Sequence, residues 1–578
     1  MPDRDLVMPE PANPAESDMA EPGFLHIEET EQKETIAPPV HARLASPPPP
    51  QNMERPGTVE HLAAREPVAA LDPDTPEIKQ RLGALRLEVT SMLTGLRWHG
   101  QRVDDIAAKM IPLLNVGAVE QWKPVLIPFL FEIDRAGNLV PVWLKIIERG
   151  DPPDLPPDTN PAETMEGRAR RFAILMLGNY KSADALPQSK PIGFARPGST
   201  STSTGAIDLP RTLGKLALDP STSLYATQAL AKQGTTAAIQ TLISTLKDAK
   251  GWAKVDVVEG ILALEQERFN DILIASGLQG APGLESYLAT PLYQGIPLEP
   301  YLRGGNQIGP RLSEQAALIF HQVLQNSMIP PIEESDTVPV VFERKLLPIA
   351  QALFEGTRST PTWQHTITMH RLGVMLGRYW SKIASGTLQN TQIVEQVYGC
   401  LPMMNEVERW MDGPGRDVLL DTLANSTEQD AVIATTRVLG ELRDPRAIGL
   451  LITQIEKVQE VPNREQALLL GTKCQTLGFL GDRRAVAPLL HLLHRTVDVA
   501  KRNSLPRRTT PLPTGDPDIP GSIVYTAIIR ACGQLGDRSA LESVSQATKD
   551  VDPYVRSRAV EAARLLDPGG EADRTIEM

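Results

Sequence analysis

The feature that most constrains the fold of this 578-residue chain is a short segment that recurs near its carboxyl end. Three copies align without gaps: LGELRDPRAIGLL from Leu439, LGFLGDRRAVAPL from Leu477 and CGQLGDRSALESV from Cys532. In each copy an apolar helix ends, the chain turns at an aspartate, and a second helix begins with small and aliphatic residues. One such helical pair cannot bury its apolar faces alone, so the repeat predicts a stack in which each pair packs on the next.

The aspartate of each turn is well suited to begin the second helix. Asp444, Asp482 and Asp537 occupy equivalent positions, where a carboxylate accepts hydrogen bonds from free N–H groups and complements the helix dipole. The glycines and alanines beside the turn allow neighbouring helices to approach closely. A related segment, DVDPYVRSRAVEAARLL from Asp550, predicts a last helix with Arg556 near its start.

This arrangement resembles the HEAT-like repeats of the phycobilisome-lyase type. The residues that carry the resemblance are G-D-x-x-A with a following aliphatic residue, and then D-x-D-P-x-V-R-x-x-A, over about residues 425–567. The resemblance implies an α-solenoid, a superhelix of antiparallel helical hairpins, with ladders of turn aspartates and helix arginines between repeats. On this chain the ladder role falls to Asp444, Asp482, Asp537 and Arg556.

The rest of the chain also favours helices. Hydrophobic residues make up 41% of the sequence and aromatic residues only 4%, which is low for a β-rich domain or a pocket-rich enzyme. From Glu77 onwards, apolar residues recur at steps of three and four, separated by short breakers, which predicts helical hairpins. The stretch from about 277 to 340 has the poorest helical pattern. We therefore predict an all-α fold with a disordered amino-terminal tail.

Composition divides the chain into six segments. We predict a disordered acidic tail at 1–76, a helical-hairpin region at 77–185, a linker at 186–210, a central region with degenerate repeats at 211–424, the carboxyl-terminal repeats at 425–567 and a flexible end at 568–578. The tail contains 15 of the 51 prolines, and its first 40 residues carry ten acidic and two basic side chains. Such a segment cannot offset its ordering entropy by burial.

The interval between the second and third copies is longer than the first interval because of an insertion at 496–521. Solenoids tolerate insertions between the two helices of a hairpin. Basic side chains concentrate in and beside it, and we take them as candidate partner contacts: Arg495, Lys501, Arg502, Arg507 and Arg508. A solvated loop is one interpretation, and contact with an acidic partner or with the acidic tail is the other.

No motif indicates catalysis, a cofactor or a metal. His491, His494 and Asp498 lie at i, i+3 and i+7, but no fourth ligand is evident, so we predict no metal there. Three widely spaced cysteines are typical of a reducing compartment. The sequence begins without a secretory signal and contains no apolar run of about 20 residues, which predicts a cytoplasmic protein without a membrane span.

These observations favour a non-enzymatic scaffold that binds other proteins through a curved helical-repeat surface. The net charge of −13 makes nucleic acid an unfavoured partner. Two alternatives stay open. The resemblance also implies a subunit like a bilin lyase or isomerase, and the basic insertion allows a nucleic-acid-associated HEAT protein.

Overall fold

The computed structural model describes residues 61, 68–69, 71–98, 102–152, 160–181, 207–305, 308–328, 338–510, 512 and 516–568. Within these ranges every regular element is a helix and no residue lies in a strand, so the all-α prediction is confirmed. None of the described helices combines the length and the apolar character that crossing a bilayer requires. Most of the predicted tail, most of the predicted linker and the end at 569–578 lie outside the described residues.

The helices are numbered here in chain order. The amino-terminal helices are α1 (Pro76–Trp98), α2 (Val103–Leu113), α3 (Val119–Ile133), α4 (Val140–Arg149) and α5 (Met165–Leu177). The central helices are α6 (Leu209–Leu216), α7 (Ser223–Gln233), α8 (Thr236–Asp248), α9 (Trp252–Leu262), α10 (Asn270–Ser276), α11 (Glu285–Gly295), α12 (Glu299–Arg303), α13 (Pro310–Asn326), α14 (Leu346–Ser359), α15 (Trp363–Ala384), α16 (Thr391–Trp410) and α17 (Arg416–Asn425). The carboxyl-terminal helices are α18 (Gln429–Glu441), α19 (Arg446–Glu456), α20 (Arg464–Leu480), α21 (Val486–Thr496), α22 (Val499–Ser504), α23 (Ile519–Leu535), α24 (Leu541–Ala547) and α25 (Pro553–Leu566).

The helices stack so that alternate elements contact one another. One row, called row A below, consists of α5, α7, α9, α11, α13, α15, α18, α20, α23 and α25, and each member packs on the next. A second set packs in parallel to it, with α12 on α14, α14 on α16, α17 on α19 and α19 on α21. Buried apolar side chains from Leu85 to Leu566 form one contiguous core. The helical-repeat architecture is therefore confirmed, and it runs without a break from the amino-terminal helices into the carboxyl-terminal repeats.

Small residues set the spacing between neighbours in row A. A Cβ atom on Gly478 of α20 would lie 2.8 Å from Cα of Ala531 and 2.3 Å from Oε1 of Gln534, both on α23. Gly533 of α23 stands in the same relation to α25, because its Cβ would lie 2.9 Å from Cα of Ala562. Both glycines occupy the second position of the recurring segment. In these two copies the position needs glycine because two helix backbones meet there.

In the described part of the poorly patterned stretch from 277 to 340, the α-helices are α11, α12 and α13. Pro300 lies in the first turn of α12, and Pro310 is the first residue of α13. Proline suits the start of a helix because its missing N–H has no intrahelical role there. These prolines, together with the short length of α12, obscure the helical period in the sequence.

A buried polar contact joins the central helices to the carboxyl-terminal repeats. Nε2 of His370 on α15 lies 2.8 Å from a carboxylate oxygen of Glu441 on α18, and Nη2 of Arg371 lies 3.4 Å from the other oxygen. Burial favours a higher pKa for Glu441, but the hydrogen bond from His370 and the charge of Arg371 outweigh it and lower the pKa. The Glu441 carboxylate therefore stays charged in this buried contact between α15 and α18.

One residue of the predicted disordered tail is buried. The ring of His61 is stacked on Trp252, with ring centroids 4.9 Å apart. Its Nδ1 lies 3.4 Å from the carboxylate of Asp256, and its Nε2 lies 2.8 Å from the carbonyl oxygen of Pro220. The prediction of disorder was based on the entropy cost of ordering the tail. At His61 the ring stacking and the polar contacts offset that cost.

The glycine contacts in row A lead to a stability prediction. We expect Gly478→Ala to lower the free energy of unfolding by about 1–3 kcal/mol, because the added methyl group must displace the α23 backbone. Gly399→Ala is the matched control, since a Cβ on Gly399 within α16 meets nothing within 4 Å. The control should gain up to about 1 kcal/mol from helix propensity. Urea unfolding followed by circular dichroism measures both, and equal effects would contradict the role of Gly478.

The turn of the first repeat copy contains a strained residue. Gly481 and Gly536 end α20 and α23 in the left-handed conformation, with φ of 74° and 65°. Arg443 occupies the equivalent position after α18 and has a φ of 48°, although its side chain is exposed. A Cβ atom is unfavourable in this region of the backbone map.

We therefore expect Arg443→Gly to raise the free energy of unfolding by about 1 kcal/mol. Lys457→Gly is the control, because Lys457 is an exposed residue that ends α19 with an ordinary φ of −76°. This control should be neutral or destabilising, since glycine adds freedom to the unfolded chain. Chemical unfolding curves measure the free energy of unfolding of both variants. If neither variant is more stable than the unmodified chain, the turn is unstrained.

Candidate partner-binding surface

The predicted insertion at 496–521 contains a helix and is not only a loop. α22 occupies Val499–Ser504, and the side chain of Asp498 caps it by accepting a hydrogen bond from the N–H of Lys501 at 3.0 Å. α23 begins at Ile519, inside the predicted limits of the insertion. The basic side chains of the insertion therefore lie on α22 and on the turns that flank it.

Arg502 anchors α22 to the last inter-helix turn. Its Nε donates to one carboxylate oxygen of Asp550 at 2.7 Å and its Nη2 donates to the other at 2.8 Å. Nη2 also donates to Oγ of Ser522 at 2.7 Å. The side chains of Arg502 and Asp550 are 7% and 0% exposed. Burial alone would lower the pKa of Arg502, but Asp550 raises it, so the pair stays ionised. This candidate partner contact is thus an internal anchor.

The other four candidate residues divide into two pairs. Nη1 of Arg495 donates to the carbonyl oxygen of Glu456 at 2.7 Å, at the end of α19. The side chain of Arg508 lies 3.4 Å from the carboxylate of Asp516. Lys501 and Arg507 are exposed, and among the described residues neither side chain has a partner. Lys501 and Arg507 are therefore the side chains best placed to meet another molecule.

An open groove of about 890 Å³ lies beside α22. The side chains and backbone of α22, the end of α21 and the turn after α24 line it, including His494, Arg495, Asp498, Asn503 and Lys549. Nδ2 of Asn503 donates to the carbonyl oxygen of Gln546 at 3.2 Å. The groove is polar and carries the exposed cations Arg495 and Lys549. We call Arg495, Lys501, Arg507 and Lys549 the basic surface.

The three residues considered for a metal do not form a metal site. His491 and His494 are exposed on α21, which ends at Thr496. Asp498 follows that end and caps α22 instead of continuing the helix face. In the described part of the chain, no group of three or more His, Cys, Asp or Glu side chains is placed to hold a metal ion.

The turn aspartates cap the helices that follow them. Oδ1 of Asp444, Asp482 and Asp537 accepts the N–H of Arg446, Arg484 and Ser539, respectively, at 3.0, 2.9 and 2.9 Å. These bonds satisfy N–H groups that a helix start leaves without a partner inside the helix. Each aspartate thus contributes a hydrogen bond to the turn in which it lies.

Arg446 links Asp444 to Asp417 of α17. Nη2 of Arg446 lies 2.8 Å from Asp444, and Nη1 of Arg446 donates to Asp417 on α17 at 2.8 Å. Burial favours a higher pKa for Asp444, but its bonds with Arg446 outweigh burial and lower the pKa. Arg556 instead donates to the carbonyl oxygens of Asp550, Val551 and Arg508, at 2.7, 2.9 and 2.7 Å. It holds the insertion against the last turn, and in the described part of the chain its partners do not include the carboxylates of Asp444, Asp482 and Asp537.

The ion pair between Arg502 and Asp550 was not predicted from the sequence. The D-x-D spacing was the available signal, because Asp552 caps α25 by accepting the N–H of Tyr554 at 2.9 Å. The carboxylate of Asp550 accepts the N–H of Asp552 at 2.8 Å and also pairs with Arg502. The pair is separated by 48 residues, so a local pattern cannot identify that partner.

A scan against protein-family models gives no match, and a search of curated proteins finds no match either.

The buried pair gives a prediction about the anchor. We expect Asp550→Ala to lower the free energy of unfolding by about 3–5 kcal/mol, because it leaves the Arg502 charge buried without a partner. Arg507→Ala should change it by less than about 0.5 kcal/mol, since that side chain is exposed. The double variant Arg502→Met/Asp550→Leu should recover most of the loss. Thermal and urea unfolding test this, and an Asp550→Ala curve that overlays Arg507→Ala would contradict the anchor.

Proposed function

We propose that this chain is a protein–protein interaction scaffold built from HEAT-like repeats, and that its basic surface binds an acidic segment of a partner protein. One observation carries the proposal. Lys501 and Arg507 are exposed and without partners among the described residues, while Arg502 between them is locked to Asp550. Exposed cations without internal partners can meet the carboxylates of another molecule without first breaking an ion pair.

The continuous stack supports the same function. A repeat array in which each helix contacts only its neighbours offers a long surface, and an insertion there alters the surface without disturbing the core. The three cysteines are all buried free thiols, which supports a reducing compartment such as the cytoplasm.

Protein is a better supported partner class than nucleic acid. Sequence-independent binding to nucleic acid depends on many cations that release counterions from phosphates. Around the insertion, Arg502 is neutralised by Asp550 and Arg508 lies near Asp516. In the neighbouring turn, Arg484 pairs with Asp482 at 2.6 Å. The basic surface is left with few cations, which suits an acidic peptide segment better than a phosphate backbone.

Affinity capture with the full chain tests the proposal. A protein recovered from native extract is identified by mass spectrometry, produced separately and titrated against the full chain. We expect Lys501→Ala/Arg507→Ala to weaken that complex about tenfold, since exposed charges of a rim contribute modestly. Arg135→Ala/Lys247→Ala removes two exposed cations elsewhere and should leave the affinity unchanged.

Other outcomes of the same experiments would contradict the proposed role of the basic surface. Recovery of no protein, or a complex that both double variants weaken equally, would contradict a specific basic surface. Binding of a DNA or RNA duplex with a steep salt dependence, in the absence of a protein partner, would assign the surface to nucleic acid instead.

A further inference from the structure

A second groove, of about 550 Å³, lies where α13, α15, α17 and α18 meet, far along the chain from the basic surface. Four carboxylates line it: Glu314 of α13, Asp417 and Asp421 of α17, and Glu428 at the start of α18. Trp363, the first residue of α15, supplies a partly exposed aromatic wall. The volume is within the range of sites that hold small ligands or single side chains.

Two of the four carboxylates already have partners. Asp417 accepts a hydrogen bond from Nη1 of Arg446 at 2.8 Å. Asp421 accepts one from Nδ2 of Asn425 at 2.7 Å. The guanidinium of Arg446 offsets the charge of Asp417, whereas the neutral amide of Asn425 leaves the charge of Asp421 in place.

The other two carboxylates, those of Glu314 and Glu428, have no hydrogen-bond or ion-pair partner among the described residues. The pKa of Glu314 is raised, first by burial and then by the negative charge of Glu428, while the charge of Arg311 opposes the rise. The charge of Glu428 thus adds to the negative potential at Glu314, and a cation beside the two carboxylates would relieve this repulsion. The described residues therefore leave the negative charge of this groove unbalanced.

An amide oxygen in the same groove lacks a donor. Gln364 lines the groove and is 6% exposed, and its Oε1 is buried without a hydrogen-bond partner. The neighbouring His365 is engaged elsewhere, because its Nε2 lies 3.0 Å from Oγ of Ser313 and its Nδ1 lies 2.8 Å from Oγ1 of Thr362. A buried polar oxygen without a partner costs about 1–3 kcal/mol. A rotation of this amide toward the groove would bring Oε1 to an N–H donor of a ligand.

The partial positive charges of the helix amino termini around the groove do not outweigh its four carboxylates. α15 and α18 both begin here, and helix amino termini carry partial positive charge that helps carboxylates remain ionised. Arg311 and Arg446 contribute two positive side chains near the groove against four carboxylates. An anionic ligand would meet the excess of carboxylates, whereas a cationic ligand is attracted.

We propose that this groove binds an arginine side chain from a basic segment of a partner protein. A guanidinium provides planar N–H donors for Oε1 of Gln364 and for the carboxylates of Glu314 and Glu428, and its face can stack on Trp363. A lysine ammonium supplies charge but lacks the planar fork and the stacking face. That the arginine belongs to a protein segment rests on the proposed scaffold function.

Fluorescence anisotropy with the full chain tests the groove. The probes are a fluorescein-labelled hexapeptide of alternating glycine and arginine and its glycine–lysine counterpart. We expect saturable binding that is several-fold tighter for the arginine peptide. Glu314→Gln/Glu428→Gln should weaken the binding of the arginine peptide at least tenfold, with an unchanged circular dichroism spectrum and unfolding midpoint.

The matched control is Glu395→Gln/Glu406→Gln, which removes the same charge from exposed positions on α16. Its affinity for the arginine peptide should stay within twofold of the unmodified chain. Equal losses in the two double variants, or no loss in the groove variant, would overturn the proposal. The second result would assign the peptide to another acidic part of the chain, such as the first 40 residues.

Free L-arginine distinguishes a side chain of a protein from a small cation. We expect free arginine to displace the peptide only at concentrations at least tenfold higher than the competing unlabelled peptide. Equal potency of the two competitors would overturn the assignment to a protein segment and leave a small-molecule cation site.

The experiments distinguish failure of the groove proposal from failure of the scaffold proposal. If the groove variant loses the arginine peptide while the unmodified chain captures no protein partner, the groove is supported and the scaffold function fails. If the groove variant binds the peptide as well as the unmodified chain does, the groove proposal fails, whatever partner the basic surface captures.

Discussion

Close packing between successive helices of row A is the constraint on which the rest of this structure depends. Where Gly478 and Gly533 face the next helix, a single methyl group would press against its backbone. This proximity lets apolar side chains from Leu85 to Leu566 merge into one core, although each helix contacts mainly its nearest neighbours. Stability is then shared along the stack, and the surfaces between the turns are free to vary.

The two candidate surfaces use that freedom in opposite ways. At the carboxyl-terminal repeats, an insertion adds α22, and the buried Arg502–Asp550 pair fixes it so that other cations face outward. In the middle of the chain, four helices converge and bring Glu314, Glu428 and Gln364 together without an added segment. One stack therefore carries a basic and an acidic surface. We infer that it holds partners of complementary charge at separate positions.

The sequence was sufficient for features that depend on neighbouring residues. The recurring segment gave the turns and caps at Asp444, Asp482 and Asp537, and the apolar period gave most helices because both signals are local. Features that depend on residues distant in the chain were missed. Asp550 meets Arg502 across 48 residues, and the acidic groove draws on α13, α15, α17 and α18. His61 lies in a tail that composition alone predicts to be disordered, yet it packs on Trp252.

Hydrogen–deuterium exchange on a chain that ends at Asp552 tests the central claim most directly, because it removes α25 and uncovers one side of α23. If each helix is stabilised mainly by its neighbours, exchange should accelerate strongly in α23 and α24, less in α20, and not at all in α7 to α9. Uniform acceleration throughout the chain would show a single cooperative globule. Unchanged exchange in α23 would show that packing between successive helices of row A does not stabilise the stack.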